Sequence, residues 1–194
     1  MLDLTERYTA ALAWICEIHA AQRRKMNQDP YVSHLLRVGG MVMEWAENEE
    51  TALAALLHDA AEDCGGEAML QKIAERFGDR TASLVRACSD SLTEDPEVKL
   101  AWRPRKEAHI AHAVHADSDA RLIMICDKID NMNGILRQYR QIGSEIFQYF
   151  RGGREIGWYF RAMFDALTPG MPKPLVLEMN ALVCEIERIC ALPE

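Results

Sequence analysis

Residues 55–63, ALLHDAAED, place one histidine and three carboxylates in a stretch that is otherwise alanine and leucine. The apolar residues predict a helix that packs into a protein core. Burying ionisable groups without partners is costly, so these four side chains are solvated, paired with one another or bound to a metal ion. The rest of the chain has to decide among these three possibilities.

The four polar side chains share one face of the predicted helix. With His58 at about 0°, Glu62 lies at about 40° on a helical wheel. Asp59 follows at about 100° and Asp63 at about 140°. Carboxylates crowded on one face repel one another, and a cation would relieve that repulsion. The alternative is a solvated acidic edge, and the adjacent His-Asp pair on an alanine-rich helix favours the cation.

The composition is that of a soluble globular protein. Of the 194 residues, 49% are hydrophobic and 27% are charged, which suits one domain with a core of ordinary size. No apolar run approaches membrane-spanning length, and the start MLDLTERY lacks the pattern of a secretory signal. We therefore expect a cytoplasmic protein with no membrane partner, whose six scattered cysteines are reduced thiols.

The net charge of −8 argues against a nucleic-acid partner. If the substrate is an anion, the cations that receive it must be concentrated locally. Candidates are QRRK (22–25), WRPRK (102–106) and Lys128. The alternative for each of them is a solvated basic patch.

Helical periodicity runs through nearly the whole chain, and strand alternation is almost absent. This pattern predicts an all-α, single-domain bundle of about nine helices. The predicted helices cover residues 3–24, 33–47, 50–63, 66–77, 79–92, 99–115, 119–139, 143–166 and 173–191.

The C-terminal segment, residues 168–194, is expected to pack its helix on the same domain as residues 1–167. An apolar stripe supports this packing. The stripe consists of Leu175, Met179, Leu182, Ile186 and Ile189. A dimer helix is the alternative, but two heptads are short for a coiled coil.

One helix rarely supplies a whole metal shell, so ligands are needed from elsewhere in the chain. Two candidates are His34 in DPYVSHLLRV and Asp127, which follows an apolar run in IMICDKIDNM. Together with His58 and Asp59 they would offer two nitrogens and two carboxylates, with positions left for water. Such a mixed set suits Mn²⁺ and other divalent transition ions better than a structural zinc site.

The ordered histidines and aspartates resemble the HD superfamily of metal-dependent phosphohydrolases. Further motifs follow the order and approximate spacing of the hydrolase domain of RelA/SpoT homologues. They are QRRK, PYVSH, LLHDAAED, FGDRTASLVRACSD and CDKIDNM. The similarity runs from about residue 3 to residue 167, and it points in particular to stand-alone small alarmone hydrolases of the metazoan SpoT-homologue type. The resemblance implies an HD-type helical bundle over residues 1–167.

The resemblance also implies an activity: Mn²⁺-dependent hydrolysis of the 3′-pyrophosphate of the alarmone nucleotides of the stringent response. From (p)ppGpp or (p)ppApp this reaction would give GDP or GTP, or ADP or ATP, plus pyrophosphate. Two other functions stay open. One is an HD phosphatase for another nucleotide, such as a nucleoside 5′-monophosphate, and the other is a non-catalytic nucleotide-binding regulatory module. A homo-oligomer is also left open.

Family resemblance assigns a role to each motif residue. One Mn²⁺ per chain would be held by His34, His58, Asp59 and Asp127. Glu62 and Asp63 would position and deprotonate the attacking water.

The substrate contacts implied by the family lie in three motifs. Arg24 would line the base pocket, and Lys25 would meet the phosphate side of the nucleotide. Lys128 and Asn131 would contact the substrate, and Tyr159 in GWYFRAMF would lie near the phosphates.

Some positions depart from the family pattern. Asp130 replaces a histidine or tyrosine and is expected to lie beside the substrate, and Gly134 replaces a threonine found in some relatives. In HIAHAVH, His109, His112 and His115 resemble the extra histidines with which some HD enzymes bind a second metal. We expect these three to be partly exposed helix residues instead.

Overall fold

The computed structural model describes residues 2–93 and 100–192. Those residues form ten α-helices and two 3₁₀ helices, with no strand beyond an isolated bridge between Arg23 and Pro30. The α-helices are α1 Glu6–Ile18, α2 Val32–Met43, α3 Glu49–Leu57, α4 Ala60–Cys64, α5 Gly66–Phe77, α6 Asp79–Cys88, α7 Trp102–Ala113, α8 Ser118–Ile142, α9 Ile156–Leu167 and α10 Lys173–Ala191. The all-α prediction is confirmed.

Helix α3 lies at the centre of the bundle. Every residue from 51 to 58 is buried, because α1, α2, α6 and α8 all pack against this helix. A helix that is apolar all round is stable only in such a position. His58 and Asp59, which directly follow the last turn of α3, therefore lie near the centre of the bundle.

The single helix predicted over 50–63 is in fact two helices, α3 and α4. Asp59 adopts φ −94° and ψ −7°, the sparsely populated bridge region where many active-site residues lie. The helix resumes when the Asp63 amide donates to the Asp59 carbonyl at 2.9 Å. The helical wheel therefore does not hold across Asp59, although His58 and Asp59 still face one site.

Other predicted boundaries are wrong for identifiable reasons. The helix expected over 3–24 ends at Ile18, where the chain turns toward the bridge at Arg23. The helix expected over 143–166 is α9 alone, since the 3₁₀ helices Gly143–Tyr149 and Gly153–Glu155 precede it. Both begin with glycines at positive φ, which end regular α-helix.

For two more helices, an end observed in the structure differs from the predicted end. The helix expected over 79–92 stops at Cys88. The start expected at residue 99 lies outside the described residues, and α7 begins at Trp102.

Helix α10 packs against α8 and α9. The predicted stripe differs at one position, because Leu182 is only partly buried and Val183 takes its place. The buried residues are Leu175, Met179, Val183, Ile186 and Ile189. Within the described part of the chain, no helix is long and apolar enough to cross a membrane.

Gly65 and Gly66 form the turn between α4 and α5 and fix one side of the site. Both have positive φ, 131° and 55°, which residues with a Cβ rarely adopt. A Cβ on Gly66 would also overlap the Leu92 carbonyl oxygen. The turn therefore holds the segment after α6 against α4.

Gly66→Ala is expected to lower the free energy of unfolding by about 2 kcal/mol or more, because it adds both strain and overlap. Gly40→Ala is the matched control, since a Cβ there meets no atom within 4 Å and Gly40 lies inside α2. That change should stabilise the protein by roughly 0.5–1 kcal/mol. Chemical denaturation of both variants checks the pair, and equal effects would contradict this account of the turn.

Candidate metal centre and active site

Two buried imidazoles face each other at the centre of the site. The rings of His34, in the first turn of α2, and His58, after α3, have centroids 5.2 Å apart. His58 Nδ1 donates to the Ala55 carbonyl at 2.8 Å, and His34 Nδ1 pairs with Asp130 Oδ2 at 2.7 Å. A carbonyl only accepts, so the proton of His58 is on Nδ1, and the carboxylate fixes the same tautomer in His34. Each ring therefore presents Nε2 to the site.

Two carboxylates face these nitrogens. Asp59 Oδ2 lies 3.1 Å from His58 Nε2 and 3.4 Å from His34 Nε2. Asp127 Oδ1 lies 3.3 Å from the nitrogen of His34 and 3.8 Å from that of His58. The structure thus brings together all four side chains that the sequence suggested as ligands.

The contacts fit a cation better than a set of direct hydrogen bonds. His58 Nε2 makes no hydrogen bond to any described residue, although Asp59 Oδ2 is only 3.1 Å away. Nearness without hydrogen-bond orientation indicates that the groups point at a shared centre. Two imidazole nitrogens and two carboxylates are a donor set that Mn²⁺ and similar divalent ions accept.

The electrostatics lead to the same conclusion. Burial lowers the pKa of His34 and His58, but the carboxylates outweigh it, raising the pKa of His34 to about 9 and that of His58 well above its usual value. Burial likewise raises the pKa of Asp59 and Asp127, yet the neighbouring cations hold both well below their usual range. Positive charge between the carboxylates, as protons on Nε2 or as a metal ion, would add to the stabilisation that Lys128 gives Asp127.

Further donors fix the orientation of the two carboxylates. The Tyr31 hydroxyl donates to Asp59 Oδ2 at 2.6 Å, and Lys128 Nζ donates to Asp127 Oδ2 at 2.5 Å. Asn131 Nδ2 donates to Asp127 Oδ1. Lys128 and Asn131, which the sequence predicted as substrate contacts, thus hold a candidate metal ligand in place.

Asp130, which the sequence predicted beside the substrate, is buried and paired with protein groups in the structure. It is 2% exposed and accepts hydrogen bonds from His34 Nδ1 and, at 2.5 and 3.2 Å, from Arg37. Burial raises the pKa of Asp130, but His34 and Arg37 reverse this and leave it at about 2. Asp130 is thus a charged group behind His34, because it lies three residues, or nearly one turn, beyond Asp127 on α8.

Glu62 and Asp63 on α4 have different neighbours. Glu62 Oε2 accepts the Asp90 amide at 3.1 Å, and Asp63 Oδ2 accepts Gln22 Nε2 at 2.8 Å. Burial, and then the Asp59 carboxylate, raise the pKa of both side chains. Carboxylates whose pKa is raised in this way are suited to accept a proton near neutral pH.

Of Arg24 and Lys25, the two QRRK residues predicted to contact the substrate, only Arg24 contacts the site. Its Nη2 donates to Asn131 Oδ1 at 2.9 Å, and its guanidinium lies 5.7 Å from the centre of the Tyr31 ring. A Cβ on Gly134 would approach Arg24 Nη2 at 3.7 Å, so this glycine borders the same space. Lys25 is exposed.

The HIAHAVH histidines separate into two environments. His112 and His115 are exposed, as expected, although His115 lies in the turn after α7 and not in the helix. His109 is 5% exposed, which corrects the prediction. Its ring lies 6.5 Å from that of Tyr159, and its Nδ1 lies 3.7 Å from Asp90 Oδ1. The sequence signalled neither neighbour, because they come from α9 and from the segment after α6.

Two histidines and two aspartates that converge at the centre of a helical bundle, with a further pair of carboxylates on α4, define a candidate divalent-metal site. The family model described as "HD domain" matches residues 11–155, and the chain belongs to this family. The resemblance drawn from the sequence motifs is confirmed.

Two named relatives and one solved structure are similar to this chain. The chain is 31% identical over 132 residues to the guanosine-3′,5′-bis(diphosphate) 3′-pyrophosphohydrolase MESH1 of Drosophila melanogaster, covering 66% of this chain and 69% of that protein. Identity to the Xenopus tropicalis MESH1 is 29% over 161 residues, covering 75% and 86%. A solved structure described as a metazoan orthologue of SpoT that hydrolyses ppGpp aligns with a TM-score of 0.74 and 25% identity, over 94% of this chain and 97% of that one.

Asp130→Asn is expected to weaken Mn²⁺ binding about 10- to 100-fold, because a neutral acceptor behind His34 makes its Nε2 a poorer donor. Isothermal titration of the metal-free protein with Mn²⁺ measures the change. Asp119→Asn is the control, since it removes a carboxylate from α8 that pairs with Arg80 instead. Unchanged Mn²⁺ affinity in Asp130→Asn would show that Asp130 does not support the ligand.

Proposed function

We propose that this protein hydrolyses the 3′-pyrophosphate of (p)ppGpp, and of its adenine analogue (p)ppApp, releasing pyrophosphate and the nucleoside 5′-di- or triphosphate. The observation that carries the proposal is the convergence of two Nε2 atoms and two carboxylates next to Glu62 and Asp63. Relatives named as 3′-pyrophosphohydrolases align with this chain over most of their length. The net charge of −8 argues against a nucleic-acid partner, and the cytoplasm is the proposed compartment.

The proposed ligands are His34, His58, Asp59 and Asp127, and Mn²⁺ is the proposed ion. A bound divalent ion supplies Lewis-acid stabilisation of phosphate charge and increases the acidity of water. Glu62 and Asp63, whose pKa values are raised, take the proton from the water that adds to phosphorus. The bond between that phosphorus and the ribose 3′ oxygen breaks, and the proton that the carboxylates took from water passes to this oxygen, which leaves as the ribose 3′ hydroxyl.

The remaining residues position the nucleotide. Arg24, held between Tyr31 and Asn131, presents a planar guanidinium on which a purine can stack. Lys25 is exposed beside it and is available to a phosphate. Lys128 donates to Asp127 Oδ2 and lies beside the Tyr159 ring. Both residues are proposed to lie near the phosphates, whose charge the Lys128 ammonium neutralises.

Incubating the protein with ppGpp or ppApp and Mn²⁺ should release pyrophosphate, detected together with GDP or ADP. Asp59→Ala should abolish both this release and Mn²⁺ binding, because it removes a ligand. Glu62→Gln should keep Mn²⁺ binding but lower kcat by about 100-fold or more, because the general base is lost. Release of inorganic phosphate alone, or no turnover of either nucleotide by the wild type, would contradict the proposal.

A further inference from the structure

A second buried polar cluster adjoins the metal centre. We define it as the Asp90 cluster: Asp90, Arg105, Lys106, His109 and Tyr159. Asp90 Oδ2 accepts hydrogen bonds from Arg105 and, at 2.6 Å, from Lys106 Nζ. The same ammonium lies 4.6 Å from the centre of the Tyr159 ring. The cluster thus joins α7 and α9 to the segment after α6.

Unpaired polar atoms are concentrated in the Asp90 cluster. Eight buried side-chain atoms lack a hydrogen-bond partner among residues 2–93 and 100–192, and five of them belong to this cluster. The five are Asp90 Oδ1, Arg105 Nε, His109 Nδ1, His109 Nε2 and Tyr159 Oη. Native proteins seldom leave buried polar atoms unpaired, and such a concentration indicates groups that a ligand completes.

The chemistry of the cluster selects an anion. Asp90 Oδ1 and His109 Nδ1 lie 3.7 Å apart, so a small shift pairs them and leaves the Arg105 Nε–H and the Tyr159 hydroxyl as unpaired donors. Arg105 and Lys106 supply two positive charges. Both contact the Asp90 carboxylate, and Glu62 Oε1 lies farther off, at 4.0 Å from Arg105 Nη1. Their side chains are 13% and 17% exposed, so they form the accessible edge of the cluster. Charge-assisted hydrogen bonds from such groups are typical of phosphate sites.

The cluster lies directly beside the groups assigned to the chemistry. The Asp90 amide donates to Glu62 Oε2 at 3.1 Å, and Arg105 Nη1 lies 4.0 Å from Glu62 Oε1. On the other side, Lys128 Nζ contacts Asp127 at 2.5 Å and lies 5.8 Å from the Tyr159 ring. An anion held here is therefore adjacent to the phosphorus that water attacks.

We propose that the Asp90 cluster binds the terminal phosphate of the 3′-pyrophosphate, with Arg105 and Lys106 as its charged ligands and Asp90 positioning both. This assignment rests on the proposed function and specifies it, because it explains why a pyrophosphate rather than a monophosphate is removed. None of the motifs that define the metal centre includes these two cations.

Lys106→Met tests the assignment with three nucleotides: ppGpp, pGpp, which lacks one 5′ phosphate, and ppGp, which lacks the terminal 3′ phosphate. We expect kcat/KM for ppGpp and pGpp to fall about 10- to 100-fold. Binding of ppGp, measured as substrate or competitive inhibitor, should change less than about threefold, because the lost contact is already missing. Equal losses for all three nucleotides, or a loss that follows the 5′ phosphate, would overturn the assignment.

Two further variants control for folding. Lys106→Arg keeps the charge and should restore most of the activity on ppGpp. Arg103→Met removes an exposed cation from the same helix, where Arg103 pairs with Glu107 and Glu155, and should match the wild type. Failure of Lys106→Arg to recover any activity, or an equal loss in Arg103→Met, would count against a specific phosphate contact.

Titrating the metal-free protein with inorganic pyrophosphate in the presence of a chelator separates this assignment from the proposed function. Lys106→Met should weaken pyrophosphate binding at least about tenfold. Tyr159→Phe removes only an unpaired hydroxyl, so it should weaken binding without lowering Tm. If the wild type binds pyrophosphate through Lys106 but hydrolyses no alarmone, the proposed function fails alone. If alarmone hydrolysis occurs without Lys106-dependent binding, the Asp90 assignment fails alone.

Discussion

The hydrogen bond from His58 Nδ1 to the Ala55 carbonyl determines much of the site. It commits one ring nitrogen to the backbone of the buried last turn of α3 and leaves Nε2 facing Asp59 and Asp127. Asp130 fixes the ring of His34 in the same way. Two carboxylates, of which Asp127 is buried and Asp59 partly exposed, then face two nitrogens, and positive charge between the carboxylates offsets their repulsion.

The bundle is arranged to make this grouping possible. Helix α3 packs against α1, α2, α6 and α8, so its C-terminal end lies inside the protein. The bridge-region backbone at Asp59 ends α3 and starts α4, which carries Glu62 and Asp63 past the metal ligands. The same α4 then contacts the segment after α6 through Glu62 and the Asp90 amide. The proposed metal ligands, the proposed proton acceptors and the Asp90 cluster thus lie close to one another.

The sequence predicted the helical fold from periodicity, and it marked His58 and Asp127 as charged residues within apolar runs. It did not predict the interruption at Asp59, because the apolar pattern is the same on both sides of it. The role of Asp130 depends on Arg37, 93 residues away in the chain, and no local pattern reports such a pair. The i, i+3 and i, i+4 spacing of Arg105, Lys106 and His109 did place them on one face of α7, but their burial depends on residues of other elements.

A crystal structure of the protein grown with Mn²⁺ and measured at the manganese absorption edge tests the central claim most directly. The account predicts one anomalous peak bonded to Nε2 of both histidines and to one oxygen of each aspartate. These ligands are His34, His58, Asp59 and Asp127. A peak elsewhere, or no peak at saturating Mn²⁺ with the histidines still paired to the carboxylates, would contradict it.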